Sequence, residues 1–279
     1  MKNLLVPVDF SRNAKFALRA AKAIARRTGA KIHLLHSYIP FVPTEINIPI
    51  NMDVYTDIEQ SLKNSLDETL QELLASGFDA SAIWSNGPVA DAVAEQAAEV
   101  GADLVIIGRT GKGGFLDKLF GSTATSIVKE LEGTPVLTIP PDAELDKIEK
   151  MVFATRFEIE EDEAITKVFN FCRAVGAKLD FLKLNSDIQP DIQPDEQFIG
   201  PLKSKFGFTD RDFHAINIGR SAIVPEIEAE AHKLGADILV VSSRERGFIE
   251  ELLVDPSISQ KLLLRVNMPL LSYRLPGYS

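Results

Sequence analysis

The sequence predicts an α/β protein built from two tandem doubly wound parallel five-stranded sheets, and three observations carry that prediction. First, the chain repeats itself. Gly101-Ala102-Asp103-Leu104-Val105-Ile106-Ile107 recurs as Gly235-Ala236-Asp237-Ile238-Leu239-Val240-Val241, and Gly29-Ala30-Lys31 recurs as Gly176-Ala177-Lys178. The order holds along the chain, since Leu4–Phe10 has a counterpart in Met151–Phe157 and Thr134-Pro135-Val136-Leu137 has one in Met268-Pro269-Leu270-Leu271. Such self-similarity decides the architecture before any single element does. Second, short β-rich runs alternate with longer helical patterns in each half, which is the order of βαβ units. Third, runs such as Leu104–Ile107 are apolar without alternation, as strands covered on both faces are. Right-handed crossovers then place helices on both sides of each sheet.

In the first half the strands fall near residues 3–9, 31–37, 79–84, 103–108 and 135–139, and the helices near 12–28, 55–75, 88–100 and 121–132. The first helix repeats Ala14, Ala17, Leu18, Ala21 and Ile24 at helical spacing, with Ser11 as its N-cap and Gly29 as its stop. Its small residues suit close packing on a sheet. In the second half the strands fall near 150–155, 178–184, 212–217, 237–242 and 269–273. The consecutive prolines in Pro140-Pro141-Asp142-Ala143 break regular structure. They divide the chain into domains at residues 1–140 and 141–279.

Thirty Lys and Arg against forty Asp and Glu give a net charge of −10. That balance argues against general binding to nucleic acid or to an anionic membrane. One cysteine, Cys172, forms no internal disulfide and is read as a small core residue in a reducing compartment. Asp9 interrupts the opening apolar run too early for a signal peptide, and no later run approaches the roughly 18–20 residues of a membrane span. A cytoplasmic protein is expected.

The segment that carries chemistry is Gly108-Arg109-Thr110-Gly111, nine residues, then Gly121-Ser122, directly after the fourth strand. Glycine lets backbone approach an anion closely, and the free N–H groups and dipole of a following helix complement negative charge. In doubly wound sheets, ligands sit beyond the carboxyl ends of the strands where strand order reverses. That rule brings Pro7, Val8 and Asp9 toward Ile107, Gly108 and Gly111, and adds Ser37 and Tyr38 from the second strand. The loop is neither a Walker A motif nor a Gly-x-Gly-x-x-Gly fingerprint.

Gly-x-x-Gly, nine residues, Gly-Ser after the fourth strand, with Val8-Asp9 ending the first, resembles the ATP-binding pattern of the universal stress protein family. The resemblance covers both halves as an architecture, Rossmann-like and similar to the adenine nucleotide alpha hydrolases, and a tandem arrangement is common there. The nucleotide motif itself covers only the first half. It implies that Asp9 and the backbone around Pro7, Val8 and Ser37 hold the adenosine moiety. Ile107, Gly108 and Gly111 would line the ribose and phosphates, and Gly121, Ser122 and Thr123 would receive phosphate at a helix start. The family often places Val where this chain has Ser37. Arg109 and Lys112 are candidate phosphate partners, with a solvated loop charge as the competing reading.

The implied function is a stress-response regulator that binds ATP in its first domain, with or without Mg²⁺ or Mn²⁺. An unidentified protein partner would read the bound state. Two competing readings use the same pocket: a slow ATP hydrolase or nucleotidyl transferase, or a nucleotide-free interaction scaffold. In the family, domains associate through the final strand, so Val136–Ile139 and Leu270–Tyr273 are expected to pair within the chain as a pseudo-dimer, and a homodimer would extend the assembly.

The second half departs from the pattern at each decisive position. Arg156 stands for Asp9, Ser242-Ser243-Arg244-Glu245 for Gly108–Gly111, and Val254-Asp255-Pro256 for Gly121-Ser122-Thr123. An acidic side chain repels phosphate there and proline removes an N–H donor. This half is expected not to bind ATP in the same manner, and serves either as a structural partner or as the site of another ligand near Arg156, Arg244 and Arg246. His33 and His36 lie three apart on a strand and point to opposite faces, which argues against one shared metal ion. The proline-broken apolar segment 39–50 follows the second strand and is read as a lid or partner-binding arm over the crevice, or as a loop packed on the protein itself.

Overall fold

The computed structural model describes residues 1–39, 52–109, 117–155, 162–186, 196–218, 223–243 and 266–274. The first half runs β1 (Asn3–Pro7), α1 (Arg12–Thr28), β2 (Lys31–Tyr38), α2 (Met52–Ala75), β3 (Ala80–Asn86), α3 (Val89–Glu99), β4 (Leu104–Gly108), α4 (Asp117–Glu130) and β5 (Val136–Ile139). The second runs β6 (Lys150–Thr155), α5 (Asp162–Val175), β7 (Lys178–Ser186), α6 (Glu196–Phe206), β8 (Phe213–Ile218), α7 (Ile223–Lys233), β9 (Ile238–Ser243) and β10 (Leu270–Arg274). Among the described residues no helix is long and apolar enough to cross a membrane.

Each half forms a parallel five-stranded sheet, and the two join edge to edge in the order β3-β2-β1-β4-β5-β10-β9-β6-β7-β8. The joint is the antiparallel pair β5 and β10, with Leu270 opposite Thr138, Leu271 opposite Leu137 and Ser272 opposite Val136. The expected pairing of the final strands is therefore present, and each edge covers the other's unpaired backbone groups. Alternate side chains send Leu4 and Val6 into a core under α1, α2, α5 and α6, and Leu5 into a second core under α3, α4 and α7.

The repeated glycines and aspartates have a backbone cause. Ser11 caps α1 by accepting the Ala14 N–H at 3.3 Å, and Gly29 closes it at φ 71°. After α3, Gly101 adopts φ 59° and the Asp103 carboxylate accepts the N–H of Asn3 at 3.0 Å. After α7, Gly235 adopts φ 75° and Asp237 accepts the N–H of Lys150 at 2.9 Å. Gly-Ala-Asp is thus a helix stop followed by a carboxylate that fixes the start of the neighbouring strand.

The polar residues at matched positions of β2 and β7, His33 and Asp180, have different partners in the two halves. In the first, His33 bridges Asn3 (3.1 Å) and Ser81 (2.9 Å). In the second, Asp180 holds Lys150 at 2.6 Å and His214 at 3.1 Å. His36 uses its Nδ1 on the carbonyl of Val8 at 2.7 Å, so both imidazoles of the first half make ordinary hydrogen bonds. Cys172 is buried against Met151, and burial pushes its thiol up to about 12.

Burial, and then Lys31, lower the pKa of His33 from its ordinary 6.5. The unfolded chain therefore binds the extra proton first as pH falls. The stabilisation is complete above 6.5 and is lost as pH drops toward the folded value. His33→Gln is expected to lose less stability than wild type between about pH 7.5 and about pH 5.5, read from urea unfolding at each pH.

Candidate functional site

A crevice of about 280 Å³ opens at the carboxyl ends of β1, β2 and β4. It lies at the strand-order reversal, where β1 pairs with β2 on one side and β4 on the other. Pro7, Val8, Asp9, Ser37, Ile107 and Gly108 all line it, so these residues of the sequence reading converge on one space. Leu35, Val89, Ala124 and Ile127 complete an apolar wall with Val8 and Ile107, while Ser11 and Asn13 add polar groups at the start of α1.

The β1 end is held in a fixed shape. The Val8 N–H donates to Leu35 O at 2.8 Å, and His36 donates to the Val8 carbonyl, leaving the peptide fully engaged. Asp9 is exposed, and its Oδ1 accepts the N–H of Ser11 at 3.0 Å. Between them Phe10 takes φ 61°, a left-handed conformation costly for a bulky residue. Its ring stacks on His36 at 4.9 Å, and His36 lies 5.2 Å from Trp84. The Ser37 hydroxyl donates to Gly87 O at 2.6 Å, tying β2 to the loop before α3. Its oxygen keeps acceptor capacity toward the crevice.

Gly108 is set by packing as well as by the ligand rule. A Cβ there would lie 2.2 Å from the carbonyl oxygen and 2.5 Å from the carbonyl carbon of Asn13. The first turn of α1 can press on the end of β4 only because that side chain is absent. Ser242 occupies the matching position in the second half and is buried.

Arg109 departs from both readings of it. It is neither exposed nor directed at the crevice: 5% of its surface is accessible, and its Nη2 donates to Val266 O in the second half at 2.7 Å. Its N–H donates to Ile139 O at 2.8 Å, which turns the side chain toward the β5–β10 joint. Burial lowers its pKa, and Glu228 opposes that shift.

Helix α4 also begins earlier than expected, at Asp117 rather than Gly121. Gly121, Ser122 and Thr123 therefore sit one turn inside it. The unsatisfied N–H groups of a helix belong to its first turn, which puts those of α4 ahead of Gly121. The apolar Leu119 and Phe120 continue the helical pattern backward, a signal that the glycine at 121 obscured. Gly111 and Lys112 lie outside the described residues, as do 40–50 of the proposed lid, Arg156, Arg244, Arg246 and Val254–Pro256.

The sequence reading weighed His36 only as half of a metal pair and did not single out Asn13, because neither belongs to a nucleotide-binding motif. His36 acts by holding the Val8 carbonyl, and Asn13 enters the crevice through its place at the start of α1. Among the described residues no group of three or more His, Cys, Asp or Glu side chains could hold a metal ion.

A family model described as the universal stress protein family matches residues 1–140. Among solved structures, a universal stress protein from Archaeoglobus fulgidus DSM 4304 superposes with a TM-score of 0.73 at 17% identity, covering 99% of this chain and 97% of that one. A functionally unknown protein from Pseudomonas aeruginosa PAO1 superposes with a TM-score of 0.63 at 17% identity, covering 99% and 93%. No curated protein matches. The family model spans half of the sequence and the two long superpositions show the same fold over both halves; the chain belongs to the universal stress protein family.

Proposed function

We propose that the first domain, residues 1–140, binds ATP in this crevice, and that the protein acts as a nucleotide-responsive regulator without efficient catalysis. The observation that carries the reading is the convergence of Val8, Asp9, Ser37, Ile107 and Gly108 at the strand-order reversal. The apolar wall suits a flat purine base. Asp9 can accept hydrogen bonds from ribose hydroxyls or the adenine amino group, and the glycine loop and the start of α4 would meet the phosphates. Mg²⁺ or Mn²⁺, where used, would arrive on those phosphates. The second domain, residues 141–279, supplies the pseudo-dimer partner. Nucleotide binding would shift the population of loop conformations presented to a protein partner.

Calorimetric titration of ATP into wild type and a Gly121→Asp/Ser122→Asp double variant tests the site. Saturable one-to-one binding is expected in wild type, with at least about tenfold weaker binding, or about 1.4 kcal/mol, in the variant. No binding in wild type would leave the scaffold reading. Equal binding by the variant would move the phosphates elsewhere, and steady phosphate release by wild type would favour the hydrolase.

A further inference from the structure

The joint covers the inner edge of each half and leaves β3 and β8 as the outer edges of the ten-stranded sheet. The register decides which backbone groups β3 offers. The Ile32 N–H donates to Asp79 O at 2.9 Å, and the Gly87 N–H donates to Tyr38 O at 3.1 Å. With Ile32 opposite Ala80 and Tyr38 opposite Asn86, the N–H groups of Ser81, Ile83 and Ser85 turn toward β2, and those of Ala80, Ala82, Trp84 and Asn86 turn outward with their carbonyls. Among the described residues no strand pairs with that outward row. Each residue from Ala80 to Asn86 keeps some exposure, and the strand holds neither a charged residue nor a proline. Those are the devices that ordinarily block an edge.

The surroundings of this edge carry the charge of the protein. Residues 52–100, which run from α2 through β3 to α3, contain ten acidic side chains and one basic, Lys63, and so account for nearly all of the net −10. Asp91, Glu95 and Glu99 follow one another at helical spacing as an exposed stripe on α3. On α2, Lys63 lies over the Trp84 ring at 5.0 Å and pairs with Glu59 at 2.6 Å. Exposed Asp67 and Leu74 continue that file along the helix. The opposite edge lacks this field. Residues 196–233, which run from α6 through β8 to α7, hold six acidic and five basic side chains.

We propose that the β3 edge is a docking site for an extended, lysine- or arginine-bearing segment of a partner protein, which adds to the sheet as a further strand beside β3. Main-chain hydrogen bonds to the outward groups of Ala82 and Trp84 supply affinity, and the acidic flanks select a basic segment. Side chains of a strand laid there alternate between the two faces of the sheet. One set meets Trp84 and the α2 file of Asp67 and Leu74, and the other meets Ile83 between Ser81 and Ser85. A second copy of the chain is the poorer occupant, because two β3 edges would bring two acidic flanks together with no counter-charge. The site lies on the outer edge of the sheet and does not depend on nucleotide in the crevice.

The probe is a fluorescein-labelled peptide of alternating lysine and valine, Lys-Val-Lys-Val-Lys-Val-Lys, titrated with the full chain and read by anisotropy. Saturable one-to-one binding at low salt is expected, weakening as salt is raised. Ala82→Pro removes an outward N–H and leaves the ladder to β2 in place, so it should weaken binding at least about tenfold. Asp67→Lys/Glu95→Lys should also weaken it at least about tenfold, with the backbone untouched. The same peptide with its valines in the D configuration keeps its charge and cannot lie as a regular strand, and it should not bind. No saturable binding by wild type would overturn the proposal, as would equal binding by the control peptide or by both variants. A wild-type dimer in sedimentation that Ala82→Pro disperses would overturn it in favour of a second copy.

Discussion

Replacing Gly108 by alanine is expected to destabilise the protein by about 1–3 kcal/mol, and valine by more, with loss of ATP binding in both. The new Cβ would meet the backbone of Asn13 at 2.2 Å, and a backbone carbonyl cannot swing aside as a long side chain can. Helix α1 has little freedom to retreat. Its Ala14, Ala17, Ala20 and Ala21 are buried on the sheet, Ser11 caps its start, and Arg19 is tied to Glu144 and Asp146. Relief must come from tilting the first turn of α1, which carries Asn13 and Ala14 into the crevice wall. Urea midpoints measure the first effect and calorimetry the second. Ser242→Gly at the matching position of the second half is the contrast: it adds no atom, so its cost is the flexibility of glycine, about 0.5–1 kcal/mol, together with the contacts of the buried hydroxyl. A Gly108→Ala variant with wild-type stability and affinity would show that the contact between α1 and β4 relaxes freely.

The two roles of Gly108 show what a sequence can and cannot disclose. The joint was expected from the family resemblance, in which domains associate through the final strand. Strand positions and helix caps were legible because each rests on local chemistry or on the internal repeat: Ser11 and Gly29 mark α1, and Gly-Ala-Asp recurs at the ends of α3 and α7. The crevice was legible for the same reason, since the carboxyl ends of β1, β2 and β4 must meet once the winding is known. What stayed hidden was the direction of side chains at loop boundaries. Gly108 reads as a phosphate glycine, yet its missing Cβ is also required by Asn13, whose distance no motif encodes. Gly121 reads as the start of a helix because glycine is a poor interior residue, and helix α4 accommodates it one turn in. Arg109 sits among glycines and reads as a loop charge. Its partner, Val266, is 157 residues away.

Arg109→Ala is therefore expected to change stability while leaving ATP affinity close to wild type. A phosphate-binding arginine would give the opposite pattern. The guanidinium is buried, donates to Val266 O, and lies in the field of Glu228, whose own Oε1 accepts the N–H of Asn267 at 2.6 Å. Truncation leaves the Val266 carbonyl without that donor and Glu228 without the compensating charge, a loss of about 1.5–3 kcal/mol for a hydrogen bond to a charged group. Arg12→Ala provides the scale. Its pair with Asp142 is exposed on both sides, and such pairs contribute about 0–1 kcal/mol. Unfolding midpoints for the two variants should separate clearly, and titration with ATP should not. If Arg109→Ala instead weakened ATP binding at unchanged stability, its guanidinium would have to leave Val266 for the phosphates when nucleotide binds. The observed geometry argues for the first outcome. Gly108 forms the crevice wall, and its neighbour Arg109 holds the second half through a buried charge, so adjacent residues of one chain segment bear on both the site and the joint.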